Sequence, residues 1–302
     1  MIRKIIFSQA TSENEIKTDI LFPKSDFIVL EANIEIAQSL FNQTKYQKTI
    51  DACKEILSTD NNSIEALKLI SKSFLAIGKI DDARLYLNKI LNMKPDDYEV
   101  IKDLGNTYQA VGDIHNAKKY YQKAIEINSS YAPALTNLGS IELSTGNKQE
   151  AVSLLVKATE SDPQLVPAWV NLANGYVQLG KTKKAENSCL KSIELNPNLF
   201  NSHFLLGTIL IGQKKLQEAE KCIRKSIELN PYFAMSHLNL GTILIDLSNL
   251  KEAELYTRKA IHINPNLAEA HSNLGSILRD LGKLKEAEAA TRKAIEINPK
   301  YA

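Results

Sequence analysis

Residues 268–299 read Ala268-Glu-Ala-His-Ser-Asn-Leu-Gly-Ser-Ile-Leu-Arg-Asp-Leu-Gly282, then Lys283-Leu-Lys-Glu-Ala-Glu-Ala-Ala-Thr-Arg-Lys-Ala-Ile-Glu-Ile-Asn298, then Pro299. In both halves the apolar residues recur at the spacing that places them on one face of an α-helix. Gly282 suits the left-handed conformation that often ends a helix, and Pro299 follows the second half because proline cannot continue a helix. The pattern predicts a helix, a tight turn and a second helix.

The same repeat recurs along the chain with a period of 34 residues. Prolines mark this period at Pro163, Pro197, Pro231, Pro265 and Pro299. One such repeat is too short to bury its own apolar face, so it becomes stable only when neighbouring repeats stack on it. We predict eight repeats between Phe27 and Asn298, with the bounds 27–60, 61–94, 95–128, 129–162, 163–196, 197–230, 231–264 and 265–298.

Two positions in the repeat are small. Position 1 is placed at Ala268, so the repeats begin at Leu30, Ile64, Tyr98, Ala132, Val166, Phe200, Ala234 and Ala268. Position 8 is small in every repeat, and position 20 is alanine in all but the first. Small residues at both places predict that the two helices of a repeat cross closely.

The pattern resembles the tetratricopeptide repeat (TPR). That family has an aromatic residue, Leu-Gly, Tyr, Gly, Ala, a second aromatic residue, Ala and Pro at positions 4, 7–8, 11, 15, 20, 24, 27 and 32, and the resemblance covers about nine-tenths of the chain. It implies an all-α fold, a right-handed α-solenoid of tandem helix-turn-helix repeats. The first repeat departs from the pattern at Thr44, Thr49, Ile56 and Asn61, and the fourth departs at Glu142.

Composition excludes several classes of protein. The 302 residues include 37 basic and 35 acidic residues, a net charge of +2, and neither sign forms a long run. This balance indicates neither a nucleic-acid-binding surface nor a polybasic membrane patch. No stretch approaches the roughly 18 apolar residues of a membrane span, and the apolar stretch after Arg3 is too short for a secretory signal. We expect a cytoplasmic protein that binds neither nucleic acid nor membrane.

The two ends lack the full repeat pattern. Residues 1–26 carry no 34-residue signal, and we expect a poorly ordered leader or a helical lid there. Residues 299–302 resemble the start of a ninth repeat, and no polar capping helix follows the eighth. We expect either that the natural protein continues beyond Ala302 or that its exposed last repeat pairs with a partner or self-associates.

The sequence carries no pattern typical of catalysis or metal binding. His203, His237 and His271 recur at position 4, but stacked repeats hold equivalent residues roughly 10 Å apart, whereas zinc needs its ligands about 2 Å away. We interpret them as packing residues. Phosphate-loop, zinc-protease and nucleophile motifs are absent, so we expect no cofactor, no metal and no catalysis within these residues. The cysteines are interpreted as buried free thiols, and they are Cys53, Cys189 and Cys222.

The TPR resemblance implies that positions 2, 5, 6, 9, 12 and 13 line a concave groove. An amide offers donors and an acceptor, so a row of asparagines can hold the backbone of an extended peptide. The TPR arms of O-linked N-acetylglucosamine transferases are similar, with asparagines at position 6 contacting peptide backbone. The alternative is that these asparagines are tolerated surface residues. From the third repeat onward position 6 holds Asp103, Asn137, Asn171, Leu205, Asn239 and Asn273.

Positions 5 and 12 make the middle of the implied groove apolar. Apolar side chains on a surface that faces solvent suggest a partner peptide or helix with hydrophobic anchors. Packing within the solenoid is the alternative interpretation. In the fifth to seventh repeats these positions hold Val170, Val177, Phe204, Ile211, Leu238 and Ile245.

Co-chaperone TPR domains use a different binding mode, a clamp for a C-terminal carboxylate. The clamp has Lys and Asn at positions 5 and 9 of one repeat, Asn at position 6 of the next, and Lys and Arg at positions 2 and 6 of the third. Lys102, Asn106 and Asn137 match the first three places. Pro167 and Asn171 occupy the other two and lack the positive charge that a carboxylate requires, which disfavours a clamp.

These features predict a scaffold or adaptor that binds protein or peptide segments in its groove. The alternative is the substrate-recruiting arm of a larger bacterial transferase. The run Thr-Arg-Lys-Ala-Ile-Glu-Ile-Asn-Pro at residues 291–299 resembles arrays that are joined to glycosyltransferase or sulfotransferase-like domains. The catalytic domain would then lie beyond Ala302.

Overall fold

The computed structural model describes the backbone of residues 24–301 and the side chains of residues 33–300. This part of the chain is built of α-helices joined by short turns, contains no strand, and ends in a single 3-10 turn at Pro299–Tyr301. The expected leader, residues 1–26, lies almost entirely outside it. None of the helices described is both long and apolar enough to cross a membrane.

Helices alternate along the described chain, two in each repeat. The first helices are α1 (Lys24–Asn42), α3 (Ile64–Ala76), α5 (Tyr98–Ala110), α7 (Ala132–Ser144), α9 (Val166–Gln178), α11 (Phe200–Gly212), α13 (Ala234–Asp246) and α15 (Ala268–Asp280). The second helices are α2 (Tyr46–Thr59), α4 (Ile80–Met93), α6 (Ile114–Ile127), α8 (Lys148–Ser161), α10 (Thr182–Leu195), α12 (Leu216–Leu229), α14 (Leu250–Ile263) and α16 (Leu284–Ile297).

The first helices from α3 to α15 all begin at position 1, whereas α1 begins before Leu30, at Lys24. Pro23 directly precedes α1 in the sequence, and Phe27 stands where later repeats have a proline. Because proline favours the first turn of a helix and disfavours its interior, this arrangement lets α1 start early.

Asx turns close most links between consecutive repeats. The side-chain oxygen at position 31 accepts a hydrogen bond of 3.0–3.1 Å from the backbone N–H two residues later. This local bond turns the chain out of one helix and toward the next. The residues that make it are Asp60, Asn128, Asp162, Asn196, Asn230, Asn264 and Asn298.

The two helices of a repeat cross where positions 8 and 20 meet. A Cβ added to Gly207 would lie 2.6 Å from Cδ1 of Ile223 and 3.4 Å from the carbonyl oxygen of Ala219. At Gly275 an added Cβ would lie 3.3 Å from the carbonyl oxygen of Ala287. The absence of a side chain at these glycines lets the second helix approach, which confirms the predicted close crossing.

The described chain forms two compact bodies, one up to Tyr120 and one from Tyr121. Buried apolar clusters hold the N-terminal body together, with Ile70 and Leu87 among their fully buried members. In the C-terminal body one cluster continues through the helices from Val152 to Ile277. That a single array of eight repeats runs through both bodies stays a prediction.

Candidate functional site

The first helices of the C-terminal body lie side by side. Helix α9 contacts α7 and α11, and α13 contacts α11 and α15. Side chains at positions 6 and 9 meet between these helices: Asn239 Nδ2 donates to Thr208 Oγ1 at 3.2 Å, and Asn273 Nδ2 donates to Thr242 Oγ1 at 3.1 Å. Asparagines at position 6 therefore lie on the surface that the first helices share.

These two asparagines keep part of their hydrogen-bonding capacity. Each uses one N–H for the threonine and makes no other side-chain hydrogen bond within the described residues, which leaves its carbonyl oxygen and second N–H available for a ligand. Asn171 is half-buried and makes no side-chain hydrogen bond in the same part of the chain. Asn137 is also half-buried, and Leu205 interrupts the row between Asn171 and Asn239.

The predicted apolar residues divide into two groups. Val177 is 41% exposed, whereas Leu238 is 1% exposed and belongs to a buried cluster with Ala260 and Ala270. The expectation that Leu238 lines an open surface is therefore wrong, because α14 and α15 supply alanines against which it packs. The half-buried residues are Val170, Phe204, Leu205, Ile211 and Ile245.

An aromatic cluster adjoins these apolar residues. The ring of Phe233 makes edge contacts with Phe200 and Phe204, with ring centroids 5.3 and 5.0 Å apart. All three rings are half-buried. Sequence reasoning missed Phe200 and Phe233, which stand at positions 1 and 34, outside the positions that the TPR resemblance implies. Three phenylalanines within residues 200–233 were the available signal.

The groups predicted for a carboxylate clamp are already occupied in the N-terminal body. Lys102 forms an ion pair with the carboxylate of Asp103, and Asn106 Nδ2 donates to the same oxygen at 3.3 Å. Asp103 itself is buried. Lys102 thus has an internal carboxylate as its partner, which further disfavours the clamp. Asn137 lies in the C-terminal body.

The recurrent ring at position 4 makes a packing contact. Nε1 of Trp169 donates to the carbonyl oxygen of Pro163 at 2.9 Å. His237 places Nε2 2.8 Å from the carbonyl of Pro231, and burial lowers the pKa of its imidazole. Because a carbonyl only accepts, Nε2 carries the hydrogen. His203 and His271 make the same contact with Pro197 and Pro265.

The thiols lie among apolar side chains. Burial raises the pKa of Cys53 and of Cys189 to about 12, and it also raises the pKa of Cys222. A protonated thiol is a poor nucleophile and a poor metal ligand. Within the residues that the structure describes, no group of histidines, cysteines or carboxylates is arranged to hold a metal ion.

A family model described as the cilia and flagella-associated protein 70 C-terminal domain matches residues 97–300. The chain belongs to this TPR family. A comparison with curated protein sequences finds no match. The predicted TPR resemblance and the all-α solenoid fold are both confirmed.

Solved structures of TPR proteins share the fold at low sequence identity. A chain of the APC/C hetero-tetramer Cut9-Hcn1 gives a TM-score of 0.66 at 19% identity over 88% of this chain, which spans only 52% of that chain. PilF of Pseudomonas aeruginosa gives 0.64 at 20% identity, covering 70% of this chain and 96% of its own. YrrB, described as a TPR protein with an unusual peptide-binding site, gives 0.52 at 24% identity, covering 61% and 94%.

Proposed function

We propose that this TPR protein is an interaction scaffold that binds segments of other proteins on the first-helix surface of its C-terminal body. The observation that carries the proposal is the row of partly satisfied amides beside half-exposed apolar side chains on α9, α11 and α13. The TPR fold and the peptide-binding site named for YrrB support it.

The two kinds of side chain serve different parts of a ligand. The free carbonyl oxygen and N–H of Asn239 can pair with the backbone of an extended peptide, whatever its sequence. When a ligand side chain covers an apolar neighbour such as Phe204, apolar surface is removed from water, and this stabilises the complex. The thiols are buried and the histidines at position 4 contact proline carbonyls, so the proposed role is binding without catalysis by this chain.

The test replaces asparagines on the proposed surface. Peptides selected from a random display library against the purified protein provide the probes. The double variant Asn171→Ala, Asn239→Ala should weaken binding of the selected peptides by about 1–2 kcal/mol, because each lost amide removes a hydrogen bond to the ligand backbone. Fluorescence anisotropy measures the dissociation constants.

Asn187→Ala is the matched control, since Asn187 is an exposed asparagine on the second helix α10. It should leave peptide affinity unchanged. The proposal would be wrong if no peptide could be selected, or if the control and the double variant lost peptide affinity equally. The alternative role as the recruiting arm of a transferase stays a prediction from the sequence resemblance.

A further inference from the structure

Three consecutive first helices are almost free of charge. Helices α9 and α11 contain no Asp, Glu, Lys or Arg, and α13 contains a single one, Asp246, at its last residue. The second helices of the same repeats, α10, α12 and α14, each carry several charges of both signs. Charge has therefore been segregated between the two kinds of helix in this part of the molecule.

We call the accessible apolar residues of these first helices the neutral window, and they are Val170, Val177, Phe204, Leu205, Ile211 and Ile245. On one side, α7 has only the buried Glu142, whose carboxylate accepts a 2.6 Å hydrogen bond from Asn147 Nδ2. On the other side, α15 brings charge back with an exposed pair, Arg279 and Asp280, 3.0 Å apart. The window thus has a defined edge at α15.

The centre of the neutral window is its most apolar part. Leu205 stands where the flanking repeats have Asn171 and Asn239, so the polar row gives way to an alkyl side chain at this point. Phe204 lies next to it and carries the edge contact with Phe233. A ligand that crosses the window meets amides first, then an apolar patch, and then amides again.

This arrangement selects the chemistry of the ligand. A charged ligand side chain that docks on the window loses hydration and finds no opposite charge on α9 or α11, and on α13 only Asp246 at the end of the helix, which is unfavourable. An apolar ligand side chain has no favourable hydration to lose, and docking removes its apolar surface from water. The amides on both sides suit an extended backbone, whose polar groups need partners, better than a helix, whose backbone groups are already paired.

We propose that the neutral window takes an extended segment of another protein that carries large apolar side chains and no charged residue, anchored at Phe204 and Leu205. The proposal rests on the proposed function, because it names the class of peptide that the same surface binds. Recognition of an uncharged segment differs from that of a clamp, which binds a charged carboxylate. The affinity should therefore depend little on the salt concentration.

Three synthetic peptides with capped termini are the probes. In the first, Leu and Phe alternate with Ser and Gly; in the second and third, the serines are replaced by Lys and by Glu. The neutral peptide should bind about tenfold more tightly than either charged peptide, as expected for an unpaired charge at a covered surface. Its affinity should change little as the salt concentration is raised.

Val177→Glu places a charge in the window at a residue that is already exposed, so the fold should persist. It should weaken the neutral peptide about tenfold and strengthen the Lys peptide, because the new carboxylate pairs with lysine. Leu255→Glu is the matched control, since Leu255 is 50% exposed on the second helix α14. It should change neither affinity, and circular dichroism checks the helical content of both variants.

The outcomes separate the two proposals. If neither these peptides nor a random library yields binding, the proposed function itself is wrong. If peptides bind but the charged ones bind as tightly as the neutral one, the proposed function stands and the neutral window is rejected. Equal effects of Val177→Glu and Leu255→Glu would also reject it. Self-association that Val177→Glu abolishes, seen by sedimentation, would make the occupant a second copy of this chain and overturn the proposal.

Discussion

Buried serine hydroxyls join neighbouring repeats in pairs. Ser192 and Ser202 lie 2.8 Å apart between their oxygens, and so do Ser226 and Ser236. Each pair links position 27 of one repeat to position 3 of the next. Elsewhere in the C-terminal body these two positions hold alanines, as at residues 158 and 168 or 260 and 270. A hydroxyl at one place is thus matched by a hydroxyl at the other.

Removing one member of a serine pair should cost more than removing both. Ser226→Ala leaves the hydroxyl of Ser236 buried without its partner, and we expect a loss of about 1–2 kcal/mol in the free energy of unfolding. Ser226→Ala combined with Ser236→Ala recreates the alanine pair found in other repeats and should restore most of that loss. Urea denaturation followed by circular dichroism measures both. Additive losses would show that the hydroxyls do not depend on each other.

Within each helix hairpin, the turn depends on one residue in the left-handed conformation. Position 15 has a positive φ in every repeat, from 57° at Thr44 to 88° at Gly146. Five of these residues are glycines, whereas Thr44, Lys214 and Ser248 carry side chains. A residue with a Cβ pays roughly 1–2 kcal/mol in this conformation. The first, sixth and seventh repeats therefore contain turns that are less stable than they would be with glycine at this position.

Ser248→Gly should stabilise the protein. Glycine relieves the strain at φ 61° but gains entropy in the unfolded chain, so we expect a net increase of about 0.5–1 kcal/mol in the free energy of unfolding. Ser153→Gly is the matched control, because Ser153 is exposed in the middle of α8, where glycine should cost about 0.5–1 kcal/mol. Thermal denaturation should move in opposite directions for the two variants. A decrease for Ser248→Gly would contradict the strain argument.

The helices could be predicted from the sequence because their signals are local. Apolar spacing, Gly282 at a turn and Pro299 after a helix each act within a few residues, and they recur every 34 residues. Helix α1 begins before position 1 of the first repeat, where Phe27 stands in place of the proline. Local chemistry there favours an earlier start than the period implies.

The candidate site was less predictable because burial depends on neighbouring helices. Leu238 looks like Phe204 in the repeat pattern, yet alanines on α14 and α15 enclose it. Phe233 enters the site from the link before α13, a place that the repeat pattern treats as connecting sequence. The asparagine row was implied by the TPR resemblance, whereas the threonines that bind Asn239 and Asn273 became evident only from the structure.

At the scale of the molecule, charged residues of the C-terminal body are concentrated on the second helices, and the first helices α9, α11 and α13 have almost none. Arg224 on α12 contacts Glu220 in its own helix and Glu252 on α14, at 2.8 and 2.7 Å. Arg258 repeats this arrangement on α14, with Glu254 in its own helix and Glu286 on α16. Ion pairs therefore connect the second helices of successive repeats, while the first helices of the fifth to seventh repeats carry the neutral window.

Arg224→Met should test whether these ion pairs couple the repeats. Arg224 also places its guanidinium 5.5 Å from the ring centre of Tyr256 and donates to the tyrosine hydroxyl at 3.2 Å. The substitution removes two ion pairs and a cation–π contact. It should lower the free energy of unfolding by about 1–1.5 kcal/mol, which is more than the loss of one isolated exposed ion pair would cause.

Arg292→Met provides the matched comparison, because among the described residues Arg292 pairs only with Glu288 in its own helix, and both side chains are exposed. It should change stability by no more than about 0.5 kcal/mol. The difference between the two variants should shrink in high salt, since screening weakens the pairs that Arg224 makes across helices. Urea denaturation measures the free energy of unfolding of both variants. Equal decreases would mean that the ion pairs between second helices do not stabilise the contact between one repeat and the next.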